Sequence, residues 1–500
     1  MRLWASSSSS TSTSRSKTLK DLLEWAESVE IKLGGISISE SQDAGLGISS
    51  QQDLASNSLV LTVPSAVALS IESPGEGPDD RSVLQLPQVD RKLLETLPWY
   101  VQFAVYLNKL DHVSSVKSSK VDMKPWLAAL PRAFDTPIHW TKEQQSQLQY
   151  DFLQDSIPRQ EQQWKQYYDK LDASKWMTWD QFVWGCECAR SRAFSGAYTG
   201  GAFNPFSYAF TLLLVLVYVG AGLGTLEQAA NGAGLVFCAQ VLKDFVLPKL
   251  FKKKRYVICP VMDMANHKSL AASAEVSFEF FGDAYSLAIS NGITVGNDKQ
   301  VYISYGTRSN DQLLQYYGFV ESNNPHDVYI LPPLRDWNIA KLEEACGITF
   351  APGRLQKLER AGLLGTTREQ MMSTSTDDDQ AANSAGGVVV TRAAGVDPAV
   401  MQALRALVST DEEWDNAGGA IGNFVESVGP ENECLARLAA KTALELELAD
   451  KPTTLEQDEE LLQKMNQAKS MMDASTEDRL AVLFRIEKKK LLQDTIRKLG

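Results

Sequence analysis

Asn266 and His267 stand side by side at the end of an apolar run, CPVMDMANHKS at 259–269, in a chain with only four histidines. An imidazole there could ligate a metal, take a proton as a general base, or prop the backbone. Metal ligation is poorly supported. No second His or Cys pair has ligand spacing, and Cys186-x-Cys188 matches none of the usual zinc patterns, so no metal is expected. Taken alone, such a histidine is more often a satisfied structural residue. Further on, VYISYGTRSNDQLLQYYGFVESNNPHD at 301–327 carries strand residues ending in Tyr305, a Gly306 turn, a polar RSN stretch, a short amphipathic helix and then Tyr317-Gly318-Phe319. Each aromatic alone reads as core packing. Tyrosines held on both sides of a turn can instead line a narrow channel with rings and phenolic oxygens. Arg192, near the end of TWDQFVWGCECARSRAF, could cap its own helix carbonyls.

The elements that must position these residues fit a folded protein of 500 residues with ample apolar content at 44%. Its 49 basic and 62 acidic residues leave a net charge of −13, which argues against direct nucleic-acid binding and fits a basic partner segment better. Scattered cysteines suit thiols in a reducing compartment. The Ser-rich start, 1–17, lacks an acid and a secretory apolar core, so it reads as a tail or a transit-like segment; the compartment is a chloroplast or other organelle, otherwise cytoplasm or nucleus.

LKDLLEWAESVE from Leu19 predicts a helix, and 45–69 short strands with turns. A helical block follows from about Asp90 to 190. Strands return at 256–260, 274–281, 285–289 and 300–304, and the chain turns helical again beyond Leu334. STSTDDDQAANSAGG at 373–387 cannot supply a core, so a disordered loop is expected over 371–390. The last helix, 477–499, carries a cationic KKK at 488–490. Residues 193–226 contain no charge and include FTLLLVLVYVGAGLG; with a second apolar stretch and KKKR at 252–255, they read either as a membrane hairpin, giving membrane association through 206–242, or as a buried or surface-docked insertion over 196–255.

Together these motifs resemble the SET-domain methyltransferases, in the branch of the Rubisco large-subunit lysine methyltransferase and its relatives acting on ribosomal, nuclear and actin substrates. DMANH and the YG-x-x-SN to YGF segment are the most specific signatures; GLGISS at 45–50, KPWLAALPRAFDTPIHW at 124–140, and ALRALVSTDEEW with VLFRIEKKKLL near the end follow in family order. The resemblance implies an α+β fold with a β-rich SET core over 18–330, a knot-like crossing, a helical insertion at 90–190, and an all-α substrate-binding domain over 331–500. It implies S-adenosylmethionine (SAM) as cofactor, bound by Ala44, Gly45, Leu46, Ser191, Arg192, Asn266, His267 and Tyr317, with Arg192 facing its carboxylate. Tyr305 matches the catalytic tyrosine, and Tyr305, Tyr317 and Phe319 the substrate channel. Ala44 departs from the acidic residue common in relatives. The charge-free insertion separates Arg192 from Asn266, so it must loop away from the site or cover it.

Methyl transfer from a sulfonium to an amine needs a neutral nucleophile and positioning. An aromatic channel desolvates an incoming lysine and lowers its pKa, and the sulfonium charge pushes the same way. A tyrosine hydroxyl and backbone carbonyls can then orient the amine. The expected function is therefore SAM-dependent protein-lysine N-methylation by a monomer acting on a protein substrate. The alternatives are histidine methylation, because actin-directed relatives share YGTRSN, and a silent SET protein that binds a partner through its C-terminal helices.

Overall fold

Short strands separated by turns do form the first half of the chain, with helices packed between them. A computed structural model of the chain describes residues 10–41, 45–73, 90–112, 121–197, 254–279, 284–364, 388–467 and 475–500. The chain divides into two compact units: Met1–Phe134 with Gln162–Tyr305, and Asp135–Glu161 with Gly306–Gly500. The segment 135–161, read from sequence as part of the helical insertion, thus falls in the second unit.

In the first unit, Lys32–Leu33, Leu59–Pro64, Ala284–Ile289 and Ala274–Glu279 form an antiparallel four-stranded sheet in that order. Ile36–Ser41 and Gly45–Ser50 make a hairpin. A third sheet places Lys254–Ile258 between Leu69–Ser73 and Phe194–Ala197. Ala197 lies directly opposite Lys254. The chain therefore leaves this sheet and re-enters it at one position, and the long insertion need not pull Arg192 away from Asn266. The insertion itself (198–253), with the membrane reading of 206–242, lies outside the described residues. Among the described residues no helix is long and apolar enough to cross a membrane. The expected 300–304 strand shortens to Tyr302–Ile303, which pairs in parallel with Asn266–His267. The knot-like crossing stays an expectation of the resemblance, since the strands establish only this parallel pair.

Helix Trp179–Arg192 is started by a capping box: Thr178 Oγ1 accepts from Gln181 N–H, and Gln181 Oε1 accepts from Thr178 N–H at 2.7 Å. It packs on helix Trp99–His112, and a Cβ at Gly185 would sit 2.8 Å from Ala104 Cα. Only glycine permits that approach. On its buried face Cys186 and Cys188 are free thiols, and desolvation pushes the pKa of each up.

The second unit corrects two expectations. Its C-terminal part is not all-α: Val388–Thr391 pairs antiparallel with Val328–Leu331 and with Gly395–Val396. Three consecutive valines suit a strand buried between neighbours, and Gly395 at φ 78° makes the return turn. For the same reason the loop expected over 371–390 ends before Val388; residues 365–387 lie outside the described ones. The strand was hidden by the low-complexity run that precedes it. At the other end of the chain, a helix begins at Ser10, inside the Ser-rich segment, and runs to Ser28.

Helices Pro398–Val408, Pro430–Ala449 and Thr476–Leu499 enclose the core of this unit, with Leu404, Phe424, Ala440 and Phe484 at its centre. The KKK run is not a solvated face. Successive residues of a helix turn by about 100°, so Lys488 faces one side while Lys489 and Lys490 both reach helix Leu455–Gln467. Lys488 reaches Asp311 and Asp327, Lys489 reaches Asp458, and Lys490 reaches Glu459. Lys489 shares Asp458 with Arg485, so burial and a like charge push its pKa down despite the carboxylate, whereas two carboxylates hold that of Lys488 up against desolvation. In a side-chain NMR titration Lys489 should lose its proton below the ordinary lysine value and Lys488 above it; the reverse order would contradict this charge arrangement. The Lys488 contribution to stability is then fully present below the ordinary value and is lost as pH rises through its higher folded one.

Candidate active site

Cys259 to His267 turns sharply. Val261 has φ 72° and ψ −48°, a conformation that a β-branched residue adopts only at a cost of about 1–3 kcal/mol. It initiates the single turn Met262–Met264, held by Asp263 N–H on Cys259 O (2.9 Å) and Ala265 N–H on Met262 O (3.0 Å). The turn points Asp263 inward and delivers Asn266–His267 to their pairing with Tyr302–Ile303.

Asp263 is the residue the sequence reasoning missed. Its carboxylate is fully buried, 2.9 Å from Arg192 Nη1, and both of its oxygens lie 3.3 Å from the indole N–H of Trp126; Arg192 also donates to its backbone carbonyl. Burial pushes the Asp263 carboxyl above the usual carboxylate range, with Arg192 and Trp126 pulling the other way; for Arg192 the carboxylate outweighs desolvation and raises the guanidinium pKa further. The signal was present in CPVMDMANH: an acid inside a run this apolar requires a cation, and Arg192 ends the helix that packs there. Arg192 Nε is buried and takes no partner among the described residues, which leaves one donor for an anionic group.

The Asn266 amide donates to Leu46 O at 3.4 Å and to Gln300 Oε1 at 3.3 Å. Gly47 lies against the same pair: an added Cβ would come within 2.6 Å of Asn266 Nδ2 and 2.7 Å of Gln300 Nε2. Gly45, at φ 71°, opens this strand, and Ala44 lies outside the described residues. His267 Nδ1 accepts the Tyr305 backbone N–H at 3.0 Å. The ring proton of the neutral imidazole therefore sits on Nε2, facing Ser269 Oγ at 3.1 Å. The His267 and Tyr305 rings stack with centroids 4.8 Å apart, and the Tyr305 hydroxyl donates to Ala265 O at 2.9 Å. Tyr305 also lies close enough to Arg192 to act on it electrostatically.

Of the residues expected to form the site, the first unit thus gathers Leu46 with Asn266, His267 with Tyr305, and Arg192 with the turn that joins them. Ser191 is not gathered in; its hydroxyl bonds back to Glu187 O at 2.7 Å within its own helix. Tyr317 and Phe319 belong to the second unit, with their rings edge to face at 6.3 Å. No group of three or more His, Cys, Asp or Glu placed to hold a metal occurs among the described residues.

Residues 348–492 match the family model described as Rubisco LSMT substrate-binding. The chain is 21% identical to the chloroplastic ribulose-1,5 bisphosphate carboxylase/oxygenase large subunit N-methyltransferase of Pisum sativum, over 83% of this chain and 70% of that one. It is 20% identical to the actin-histidine N-methyltransferase of Danio rerio, over 96% of this chain and 68% of the relative. Among solved structures, the SET domain of LSMT bound to lysine and AdoHcy superposes with a TM-score of 0.59 at 17% identity, covering 97% of this chain and 91% of that one. Rubisco LSMT bound to AdoMet gives 0.57 at 17%, covering 96% and 91%. Residues 348–492 therefore resemble the Rubisco LSMT substrate-binding family, and the chain as a whole has the fold of the solved LSMT structures.

Proposed function

We propose that the chain is a SAM-dependent protein methyltransferase with lysine as its acceptor. The observation that carries the reading is the Tyr305 hydroxyl, fixed on the Ala265 carbonyl directly beside Asn266 and His267, with Arg192 in the same neighbourhood. The donor set suits SAM. Arg192 Nε, which has no partner among the described residues, offers a hydrogen bond to a carboxylate, and the absence of a Cβ at Gly47 lets the Asn266 and Gln300 amides close on the strand beside the Leu46 carbonyl. Bound SAM supplies an activated methyl group with its positive charge on sulfur.

The chain supplies positioning. Asp263 and Trp126 fix the Arg192 guanidinium, His267 holds the Tyr305 backbone, and the phenol and the Ala265 carbonyl present oxygens that orient an incoming neutral amine. His267 does no proton chemistry in this scheme, because Nδ1 is engaged by a main-chain N–H. Tyr317 and Phe319, in the second unit, are the channel rings that the resemblance implies, and rings of this kind strip water from an acceptor and disfavour its charged form. The C-terminal domain binds the protein that carries it.

Histidine as acceptor is the second reading. It is supported by the likeness to the actin-histidine enzyme along most of the chain and by YGTRSN at 305–310. Incubating the purified protein with labelled SAM and a whole-cell extract, then identifying the modified residue, separates the readings. Label on lysine supports the first and label on histidine the second; no label together with no SAM binding would leave a silent SET protein that acts as a binding module. Gly47→Ala tests the cofactor pocket: the new methyl displaces the Asn266 and Gln300 amides, so SAM affinity should fall about tenfold, of the order of one lost hydrogen bond, while the thermal midpoint changes little. Unchanged affinity in calorimetry would move the cofactor elsewhere.

A further inference from the structure

The buried ammonium of Lys488 does more than tie down the last helix. It donates to Asp311 Oδ2 at 2.5 Å, Asp327 Oδ1 at 2.8 Å and the Val328 carbonyl at 2.6 Å, between the rings of Tyr150 and Phe484. Asp311 is in the first turn of helix Asn310–Tyr317, and Asp327 immediately precedes strand Val328–Leu331. One cation therefore joins both ends of the segment between them. Asn310, fully buried, joins its middle. Its backbone N–H and its amide donate to Asp327 at 3.0 and 3.1 Å, its amide also donates to Glu321 O at 3.0 Å, and its Oδ1 accepts the Glu321 N–H at 3.0 Å. Tyr317, Gly318 and Phe319 lie inside the bracket. Gly318 closes the helix at φ 75°, against the backbone of Asp135 and Thr136.

Stability alone is a weak reason for this arrangement. A buried cation with two carboxylates is generally no more stabilising than packed apolar side chains of the same volume, and Asp311 Oδ1 is buried without a partner among the described residues. What such a cluster fixes is geometry. We infer that Lys488 is a positioning residue, setting through Asp311 and Asp327 where Tyr317 and Phe319 stand. The inference rests on reading those two rings as the acceptor wall.

Lys488→Met alone strands two buried carboxylates, so the deciding variant is K488M/D311N/D327N, which neutralises all three groups. In the full-length chain it should still bind SAM with wild-type stoichiometry, because the proposed SAM contacts of the first unit are untouched, whereas Tyr317, the one SAM residue of the second unit, moves with the wall. Amide hydrogen exchange over 316–321 should accelerate about tenfold as the local opening becomes easier. Incorporation from labelled SAM into a whole-cell extract should fall about tenfold through misplacement of the wall, and K488R should recover part of it. Wild-type exchange over 316–321 overturns the inference, as does faster exchange with undiminished incorporation. Should the wild-type protein transfer no methyl at all, the functional reading fails while the exchange comparison still decides the positioning role.

Discussion

Tyr305→Phe lowers the rate of methyl transfer by about 10²-fold, the usual cost of removing one preorganised polar contact from a reacting centre, and leaves SAM affinity unchanged. The substitution is informative because the ring stays in place. His267 stacks on it at 4.8 Å, and the backbone N–H of residue 305 remains on His267 Nδ1 at 3.0 Å, neither of which involves the hydroxyl. What disappears is the donor to Ala265 O at 2.9 Å and, in the proposed scheme, the oxygen that orients the amine. The folded state loses one hydrogen bond, worth about 1 kcal/mol, so the thermal midpoint moves by only a few degrees. Rapid-mixing kinetics on the labelled acceptor, beside a SAM titration, separates the two effects. A Phe variant that turns over at the wild-type rate would remove Tyr305 from the chemistry.

The companion substitution His267→Ala tests the prop in turn. It strands the Tyr305 N–H and removes the ring beneath the phenol, so positional disorder at Tyr305 accompanies any loss of rate. These two variants distinguish a hydroxyl that acts from a histidine that only holds it.

Local signals in the sequence carried much of this site. Asn266, His267 and Tyr305 were singled out because their contiguous motifs resemble the family's signatures; taken alone, His267 and Tyr305 read as structural or core residues. Asp263, Trp126 and Gln300 did not. Each has a role only through partners more than thirty residues away in sequence: Arg192 with Asp263, Asp263 with Trp126, Asn266 with Gln300. No periodicity reports such pairings. The run Lys488-Lys489-Lys490 shows the same limit from the other side. As composition it is only a cationic run; in the folded helix Lys488 pairs with Asp311 and Asp327, while Lys489 and Lys490 pair with neighbouring carboxylates of helix Leu455–Gln467. The strand at Val388–Thr391 was lost for a simpler reason: a polar, low-complexity stretch drew the expected loop boundary past the valines that end it. The long apolar insertion looked like a threat to the site until Ala197 proved to face Lys254 across a sheet, which closes the excursion at its base.

Asp263→Ala should have the larger effect on the folded state. Among the described residues it removes the only carboxylate in contact with the Arg192 guanidinium, and it removes the hydrogen-bond acceptor of the Trp126 indole, which is itself fully buried. Breaking a buried pair by deleting one partner costs about 3–5 kcal/mol, because the surviving charge is left in a low-dielectric site. SAM binding should fall with it, since Arg192 no longer has a fixed direction. Arg192→Met combined with Asp263→Ala separates the contributions. Removing both charges should restore most of the lost stability in chemical denaturation while SAM binding stays absent, so stability and affinity part company in the double variant. Recovery of SAM binding there would show that Arg192 is structural only. The pH dependence has a definite sign. Burial holds the Asp263 carboxyl above its unfolded value, so the folded protein takes up this proton before the unfolded chain does, and the contribution of this group to stability increases as pH falls through the folded pKa. Wild-type protein should therefore lose less stability on mild acidification than Asp263→Asn, in which no such proton is taken up; an equal or greater loss in the wild type would mean that Arg192, and not burial, controls this carboxylate.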